Sequence, residues 1–338
     1  MSASLVQLDP GFRVSSRVVV SDPPSARLRL LRLSITDRCN FRCRYCMPQE
    51  GVAKVAHSDL LPLESLVEQV RWLVAHSGID RVRLTGGEPL MRAGVDQLIS
   101  GLLAIAGIRE VSLTTNGSLL PRMAWDLKAA GLGRVNISLD SLDNERFAEV
   151  TRGASLRSTL AGIAAAWEAG LTPIKLNTVL RRSTWMLEVP SLLDYAAETG
   201  IEIRFIELMR TGTERAWCEA EFVSVDEVCE GLGVEAVPAG EQTRASARRT
   251  FVNWRGTRVA VGWITPRSHP FCSRCDRLRM DARGKIRRCL MDPMQLDLSS
   301  LLRGMDENAA QREFDFYISG KVPPLSMDSA LAMSQIGG

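Results

Sequence analysis

Six of the eight cysteines in this 338-residue chain form two triplets whose spacing suits metal chemistry. The first triplet, Cys39-x3-Cys43-x2-Cys46, places three thiols within one short loop. Cysteine is the natural ligand of iron–sulfur clusters, so three thiolates can hold three irons of a [4Fe–4S] cube and leave the fourth iron open. Structural zinc needs four closed ligands, and the nearest histidine, His57, stands at no familiar spacing. The first triplet therefore favours a cluster with one open iron.

The second triplet, Cys272-x2-Cys275-x13-Cys289, lies near the C-terminus. A predicted hairpin pairs positions whose numbers sum to about 566, which puts Cys289 opposite Arg277. Side chains two apart share one face of a strand, so Cys275, Arg277 and Arg279 are expected to point the same way. This arrangement predicts three thiolates beside two guanidiniums, and a second cluster with an open iron.

The two remaining cysteines, Cys218 and Cys229, match no ligand spacing of a known motif. Either could serve as a fourth ligand of the second cluster. Buried free cysteine is common, however, and we interpret both as structural.

Glycine-rich and polar segments follow the predicted strands in the first half of the chain. Gly86-Gly87-Glu88-Pro89 comes directly after a strand, and consecutive glycines let a backbone approach a ligand closely. The next two strands end in the polar segments 114–117 and 138–141. Asx and Ser turns explain many such ends. Because ligands bind at the carboxyl ends of parallel strands, we nevertheless expect a site there.

Alternating strand-like and helix-like segments must position these residues. Strand candidates are residues 28–36, 81–85, 111–115, 134–140, 174–180 and 201–207. Amphipathic helix candidates lie between them, at residues 64–76, 95–105, 123–130, 156–169 and 189–199. Six βα repeats indicate an α/β fold with a parallel sheet whose crossovers cover its outer face. A curved six-stranded sheet, or partial barrel, is the expected closure.

The βα rhythm ends near Met209, and hairpin-like pieces follow. Residues 250–253 are expected to pair with 258–264, and residues 277–281 with 285–289. We therefore expect three parts. These are a flexible N-terminal arm over 1–26, a partial barrel over 27–210, and a smaller C-terminal domain over 211–338 that binds the second cluster.

The composition is that of an ordinary globular protein, with 45% hydrophobic and 24% charged residues. A formal net charge of +3 demands neither a nucleic-acid nor a membrane partner. No apolar run reaches the ~18–20 residues needed to span a bilayer, and the N-terminus lacks the apolar core of a signal peptide. We expect a cytoplasmic protein, in which cysteines favour metal or redox chemistry over disulfides.

Several sequence strings together resemble a known family. The first triplet, with Tyr45 before its third cysteine, is similar to the motif of the radical S-adenosylmethionine superfamily. The match to the molybdenum cofactor biosynthesis protein A family, the GTP 3′,8-cyclases, runs from about Leu28 to Gly337-Gly338. It is carried by LRLSITDRCNFRCRYCMP, RVRLTGGEPL, LTTNG, VNISLDSL, FIELM and FCSRCDRLRM.

This resemblance implies a fold and a reaction. The family has a (β/α)6 partial barrel of the radical S-adenosylmethionine type, a C-terminal cluster domain that closes its mouth, and usually a homodimeric state. Reductive cleavage of S-adenosylmethionine would give a 5′-deoxyadenosyl radical that abstracts the C3′ hydrogen of GTP. The C3′–C8 bond then forms, in the first step of molybdenum cofactor biosynthesis. The second cluster's open iron would anchor the guanine, and the Gly-Gly tail would reach into the barrel.

The resemblance also assigns residues. It implies cluster ligation by Cys39, Cys43, Cys46, Cys272, Cys275 and Cys289, and catalytic roles for Arg32, Arg277 and Arg279. It implies S-adenosylmethionine contacts at Tyr45, Gly87, Ser138 and Met209. It implies GTP contacts at Arg32, Arg83, Thr114, Lys175, Arg277, Leu278 and Arg279. His269 either hydrogen-bonds the guanine or a cluster sulfide, or is a satisfied structural histidine, which we favour.

The implied partners are GTP, S-adenosylmethionine, a flavodoxin- or ferredoxin-like reductant and, through the product, cyclic pyranopterin monophosphate synthase. Three other interpretations compete with this one. A radical enzyme acting on a peptide also carries C-terminal cysteines, but the Arg-x-Arg beside the second triplet argues against it. Electron carriers usually complete four cysteines per cluster and are far smaller. A zinc-stabilised binding module is the third alternative.

Overall fold

The structure is a computed structural model that describes residues 24–212, 214–234, 237–238, 247–324, 328–329 and 333. Most of the predicted N-terminal arm and Gly337-Gly338 lie outside these residues. The described chain begins with a 3-10 helix at Pro24–Arg27. The side chain of Ser25 in this helix is buried and donates a hydrogen bond to Asp315.

Fourteen strands and ten α-helices occupy the described ranges. The strands are β1 Leu30–Ser34, β2 Arg81–Thr85, β3 Glu110–Thr115, β4 Arg134–Ser138, β5 Lys175–Val179, β6 Glu202–Ile206, β7 Arg210–Thr211, β8 Val237–Pro238, β9 Arg248–Trp254, β10 Thr257–Ile264, β11 Arg277–Met280, β12 Lys285–Arg287, β13 Leu296–Asp297 and β14 Asp328–Ser329. The helices are α1 Leu63–Ala75, α2 Val95–Leu103, α3 Leu120–Ala129, α4 Asn144–Thr151, α5 Leu156–Glu168, α6 Trp185–Thr199, α7 Arg215–Ala220, α8 Val225–Leu232, α9 Leu298–Gly304 and α10 Glu307–Ser319. None of these helices is long and apolar enough to cross a bilayer.

The predicted parallel sheet is confirmed. Strands β1 to β6 lie side by side in chain order, and every neighbouring pair among them is parallel. Alternate side chains of these strands point to the helical layer or into the concave face. The side chains that point to the helical layer are apolar and fully buried, as at Leu31, Val82 and Ile203.

The C-terminal strands extend this sheet at both edges, which the sequence did not predict. Strand β11 pairs parallel with β1, and β10 pairs parallel with β6. The order of the twelve-stranded sheet is therefore β13-β12-β11-β1-β2-β3-β4-β5-β6-β10-β9-β8. The second-triplet hairpin is thus hydrogen-bonded directly to the barrel strand that precedes the first triplet.

The predicted register of the hairpin is confirmed, with Arg279 opposite Arg287 and Met280 opposite Ile286. Gly284 completes the turn at a φ of +80°, which favours glycine. The β11–β12 ladder begins at Arg279 and Arg287, so Cys289 lies beyond its end and not in a regular pair with Arg277.

Helix α4 was not predicted, because residues 144–151 give only two turns of weak apolar periodicity. Its start is nevertheless marked by Asp143, whose side chain accepts a hydrogen bond from the backbone of Arg146.

Helix α6 begins four residues before the predicted start. Pro190 lies inside it at the sixth helical position, where the missing N–H removes one hydrogen bond of the helix.

The packing of α5 on the β3 end tests this architecture. A methyl group on Gly162 would lie 2.0 Å from the carbonyl oxygen of Gly117, so Gly162→Ala must push the helix away from the loop that follows β3. We expect this overpacking to cost about 1–3 kcal/mol. The exposed Gly133 has no atom within 4 Å of such a methyl group, and Gly133→Ala is the matched control. Thermal unfolding midpoints that fall equally little in both variants would contradict this packing.

Candidate active site

A cavity of about 320 Å³ opens at the carboxyl ends of the barrel strands. Its wall contains all six cysteines of the two triplets, Cys39, Cys43, Cys46, Cys272, Cys275 and Cys289, and each is a free thiol. The two triplets, more than 220 residues apart in sequence, therefore face one shared space.

The loop of the first triplet is fixed by its own backbone. The N–H groups of Cys46 and Met47 both donate to the carbonyl oxygen of Cys43, at 2.9 and 3.1 Å. The guanidinium of Arg42 donates to the carbonyl oxygen of Cys39 at 2.7 Å. Burial raises the pKa of the Cys39 thiol to about 11 and that of Cys43 well above its usual value. Burial thus disfavours the thiolate form of both cysteines, and a partner that stabilises the thiolate would offset this effect.

The Gly-Gly segment after β2 packs against this loop. The N–H of Gly87 donates to the carbonyl oxygen of Thr36 at 2.7 Å, and that of Glu88 donates to Arg38 at 2.7 Å. A methyl group on Gly87 would lie 2.3 Å from the Arg38 carbonyl oxygen. Glycine is therefore required here for contact between the two loops as well as for any ligand.

Glu88 joins the same segment to the end of β3. Its buried carboxylate accepts hydrogen bonds from the backbone of Leu90 and Asn116, at 3.0 and 2.7 Å, and from the hydroxyl of Thr115 at 2.8 Å. Burial raises the pKa of Glu88 to about 7, and these three donors oppose the rise. The sequence analysis gave no role to this residue.

Asp140 is a second buried carboxylate that the sequence analysis did not single out. Its two oxygens accept hydrogen bonds from the hydroxyl of Tyr45 at 2.7 Å and from the backbone N–H of Val179 at 2.9 Å. Burial raises the pKa of Asp140 and also that of Tyr45. Asp140 thus ties the first-triplet loop to the ends of β4 and β5. All four predicted S-adenosylmethionine contacts line the cavity: Tyr45, Gly87, Ser138 and Met209.

Arginines from neighbouring strands form the basic side of the cavity. Arg32 is in register with Arg83 on one side and with Arg279 on the other, so their side chains share one face of the sheet. Arg277 and Arg204 also line the cavity. Burial and the charge of Arg279 lower the pKa of Arg32. Burial and neighbouring cations lower the pKa of Arg83 to about 9 and that of Arg279 to about 10.

Burial is the largest cause of these lowered guanidinium pKa values, and repulsion among the arginines adds to it. An anion bound among them would relieve that repulsion. Arg204 was missed by the sequence analysis, although a lone arginine between Ile203 and Phe205 in a buried strand could have indicated an inward-facing charge.

Three of the predicted GTP contacts need separate description. Thr114 lines the cavity, whereas Lys175 and Leu278 are not in its wall. The ammonium of Lys175 lies 3.1 Å from both carboxylate oxygens of Glu202, which also accepts from Arg204 at 2.8 Å. Burial and the charge of Arg204 lower the pKa of Lys175 to about 8. The side chain of Leu278 is fully buried on the opposite face of β11, away from the cavity.

The second triplet has a more basic environment. The guanidinium of Arg277 stacks 4.9 Å from the ring of Phe271, which precedes Cys272. Burial alone would raise the pKa of the Cys275 thiol, but Arg277 and Lys321 bring it below its usual value. The ammonium of Lys321 donates to the backbone carbonyl of Arg288.

The donor sets fit [4Fe–4S] clusters better than zinc. Each triplet supplies three free thiols to the cavity wall. Within the described ranges, no three His, Cys, Asp or Glu side chains converge closely enough to hold a single metal ion. A cube does not need such convergence, since each thiolate binds a different iron. Thr85 and Asn177 also line the cavity. Their buried side-chain oxygens, Oγ1 and Oδ1, have no hydrogen-bond partner among the described residues, as expected of atoms that contact a ligand.

Three residues of uncertain role lie away from the cavity wall. Cys218 is fully buried and Cys229 partly buried, and burial raises the thiol pKa of both. His269 is more than half exposed, and its Nε2 lies 2.6 Å from a carboxylate oxygen of Asp226. None of the three faces the site.

The C-terminal segment approaches the site at the residues that the structure describes. Strand β14 pairs with β7, with Asp328 opposite Arg210. Met333 lines the cavity, and its N–H donates to the carbonyl oxygen of Cys46 at 3.0 Å. Its side chain packs near Leu290 and Met291, which follow Cys289.

Comparisons with known proteins agree with this geometry. The Radical SAM superfamily model matches residues 33–185, and the Molybdenum Cofactor Synthesis C model matches residues 201–323. The GTP 3′,8-cyclase of Pelotomaculum thermopropionicum is 41% identical over 296 residues, which cover 87% of this chain and 90% of that protein. The GTP 3′,8-cyclase of Moorella thermoacetica is 43% identical over 326 residues, covering 94% of this chain and 100% of that protein.

A solved structure supports the fold alone. Streptococcus suis SuiB has a TM-score of 0.59 and 14% identity, over 82% of this chain and 65% of that chain, just under two thirds of its length. The curated relatives carry the family assignment, because they match most of both chains at 41% and 43% identity. The chain belongs to the GTP 3′,8-cyclase family, within the radical S-adenosylmethionine superfamily.

Proposed function

We propose that this chain is a GTP 3′,8-cyclase that catalyses the first step of molybdenum cofactor biosynthesis. One observation carries the proposal: partly or fully buried arginines from four strands and two cysteine triplets line the same cavity. A polyphosphate and two clusters would together use all of these groups. When bound, the cluster of the first triplet would supply the electron that cleaves S-adenosylmethionine, and the resulting 5′-deoxyadenosyl radical would abstract the C3′ hydrogen of GTP.

The arginines would bind the triphosphate. A triphosphate carries about four negative charges, and the planar fork of arginine matches phosphate oxygens. Arg32, Arg83 and Arg279 form one row across β2, β1 and β11, with Arg204 and Arg277 beside it. Lys175 would act indirectly, through the Glu202 carboxylate that it shares with Arg204. Thr114 would add a hydroxyl contact.

The remaining wall would hold S-adenosylmethionine and shield the reaction. Gly87 and Ser138 line the cavity at the ends of β2 and β4. Tyr45 lies in the same wall, and its hydroxyl donates a hydrogen bond to Asp140. Met209 and Met333 add apolar surface between the two triplets.

The domain division at about residue 210 and the partners belong to the same proposal. We infer GTP and S-adenosylmethionine as ligands, an external one-electron reductant, and delivery of the product to cyclic pyranopterin monophosphate synthase. A homodimer in the cytoplasm is the assembly and location that the family suggests. These inferences rest on family membership.

A peptide-modifying radical enzyme is the competing function. The likeness to SuiB is at the level of fold, whereas the arginine row suits a polyphosphate and not a peptide backbone. Anaerobic incubation with S-adenosylmethionine and dithionite, with and without GTP, tests the proposal. We expect 5′-deoxyadenosine and a cyclised nucleotide in equal amounts, and no cyclised nucleotide from any turnover would refute it.

The first prediction for this function concerns the metal content and the division of roles. Reconstituted protein should bind about eight irons per chain, as two cubes.

Alanine at Cys39, Cys43 or Cys46 should abolish 5′-deoxyadenosine formation, because the first cluster supplies the electron. Alanine at Cys272, Cys275 or Cys289 should leave some cofactor cleavage but no cyclised nucleotide. Cys218→Ala is the control and should retain both clusters. Cleavage that survives loss of the first triplet would reverse the assignment.

The second prediction concerns Arg279. We expect Arg279→Ala to weaken GTP binding by about 10- to 150-fold, since it removes a charge-assisted contact worth roughly 1.5–3 kcal/mol. Arg279→Lys should recover only part of the affinity, because lysine lacks the fork. Arg303, an exposed arginine of α9 outside the cavity wall, provides the control variant Arg303→Ala. Equal GTP affinity in Arg279→Ala and Arg303→Ala, measured by anaerobic calorimetry, would remove Arg279 from the binding site.

The third prediction concerns the C-terminal Gly-Gly pair. Met333 lies in the cavity wall, and five residues follow it in the sequence. Deleting Gly337-Gly338, or adding a residue after Gly338, should impair cyclisation while iron content and idle cofactor cleavage persist. The same tag placed at the N-terminus is the control. Full cyclisation activity in the C-terminally extended protein would argue against a buried tail.

A further inference from the structure

A negative charge is fixed beside the first triplet. Asp140 is only 3% exposed and lines the cavity. Its carboxylate receives the Tyr45 hydroxyl at 2.7 Å and the Val179 N–H at 2.9 Å. Burial raises the pKa of Asp140, but both of these contacts are donated to the carboxylate and favour its ionised form. Since Tyr45 directly precedes Cys46, the charge is held one residue from a cluster ligand.

A positive charge is fixed beside the second triplet by the same kind of contact. The ammonium of Lys321 donates to the backbone carbonyl of Arg288, the residue directly before Cys289, and Lys321 also lines the cavity. Arg288 itself is matched by the carboxylate of Asp292 at 2.5 Å. No carboxylate among the described residues forms an ion pair with Lys321, so its charge is available to the second triplet.

Cations near the first triplet do not cancel this contrast. Arg42 donates to the carbonyl oxygens of Cys39 and Phe41, but it is not part of the cavity wall and is partly exposed. Arg44 and Arg152 are both ion-paired with Glu214. Solvent and that carboxylate screen these charges more than the protein screens Asp140. Arg181, a buried cation near Asp140, is balanced by the carboxylate of Glu188 at 3.9 Å.

Nearby charge is one of the features by which a protein sets the reduction potential of a cluster, because reduction adds an electron. We propose that Asp140 lowers the reduction potential of the cluster at the first triplet and that Lys321 raises that of the cluster at the second. The second cluster is then the first to be reduced. The more strongly reducing cluster is the one beside the S-adenosylmethionine contacts. This inference rests on the proposed function, since it takes both triplets as cluster ligands.

A potentiometric titration of the reconstituted holoenzyme, followed by electron paramagnetic resonance, tests the inference. The signal that changes on addition of S-adenosylmethionine identifies the first cluster. We expect two midpoint potentials, with that of the first cluster more negative. Asp140→Asn keeps the shape and one acceptor but removes the charge, and it should shift only the first midpoint to a less negative value. Lys321→Gln should shift only the second midpoint, in the opposite direction.

Tyr45→Phe is the matched control, because it removes the hydrogen bond to Asp140 while the charge remains. It should move the first midpoint less than Asp140→Asn does. Equal midpoints in the wild type, or an Asp140→Asn shift shared by both clusters, would overturn the inference. Should Asp140→Asn fail to load its cluster, Lys321→Gln still decides: an unmoved second midpoint rejects the assignment. Iron analysis separates these outcomes from failure of the proposed function, in which the wild type would not hold two clusters at all.

Discussion

The placing of several arginines side by side in a poorly solvated cavity is the constraint on which the rest of this site depends. Arg83, Arg32 and Arg279 stand in register on three adjacent strands, and the pKa of each is lowered, first by burial and then by other cations. Guanidiniums are rarely buried together unless anions compensate them. A triphosphate on one side and thiolate-bound clusters on the other would provide that compensation. The arginine row therefore favours the binding of anions.

The sheet makes this arrangement possible by bringing distant segments into register. Strand β11 joins the open edge of the barrel beside β1, so Arg279 lies next to Arg32 although they are almost 250 residues apart. The same pairing carries the second triplet to the mouth of the cavity. Buried carboxylates then fix the loops: Glu88 joins the Gly-Gly segment to β3, and Asp140 joins the first-triplet loop to β4 and β5. Catalytic geometry therefore depends on groups that carry out no chemistry themselves.

Much of this could be predicted from sequence, for identifiable reasons. The six barrel strands have strong apolar patterns bounded by glycine or polar residues, and the hairpin register follows from its turn. Pairing of β11 with β1 could not be predicted, because local patterns do not specify which distant edge a strand joins. Asp140 and Arg204 were missed for a related reason. Each is an isolated charge whose importance comes from neighbours on other strands. Lys175 remains a predicted GTP contact, although its ammonium is ion-paired with Glu202 and it is not in the cavity wall.

Isotope transfer tests most directly whether the adenosyl radical takes the C3′ hydrogen of GTP. GTP deuterated at C3′ would be incubated anaerobically with the reconstituted enzyme, S-adenosylmethionine and dithionite, and the 5′-deoxyadenosine analysed by mass spectrometry. The account predicts 5′-deoxyadenosine that has gained one deuterium and forms in step with the cyclised nucleotide. Unlabelled 5′-deoxyadenosine, formed at the same rate with or without GTP, would contradict it.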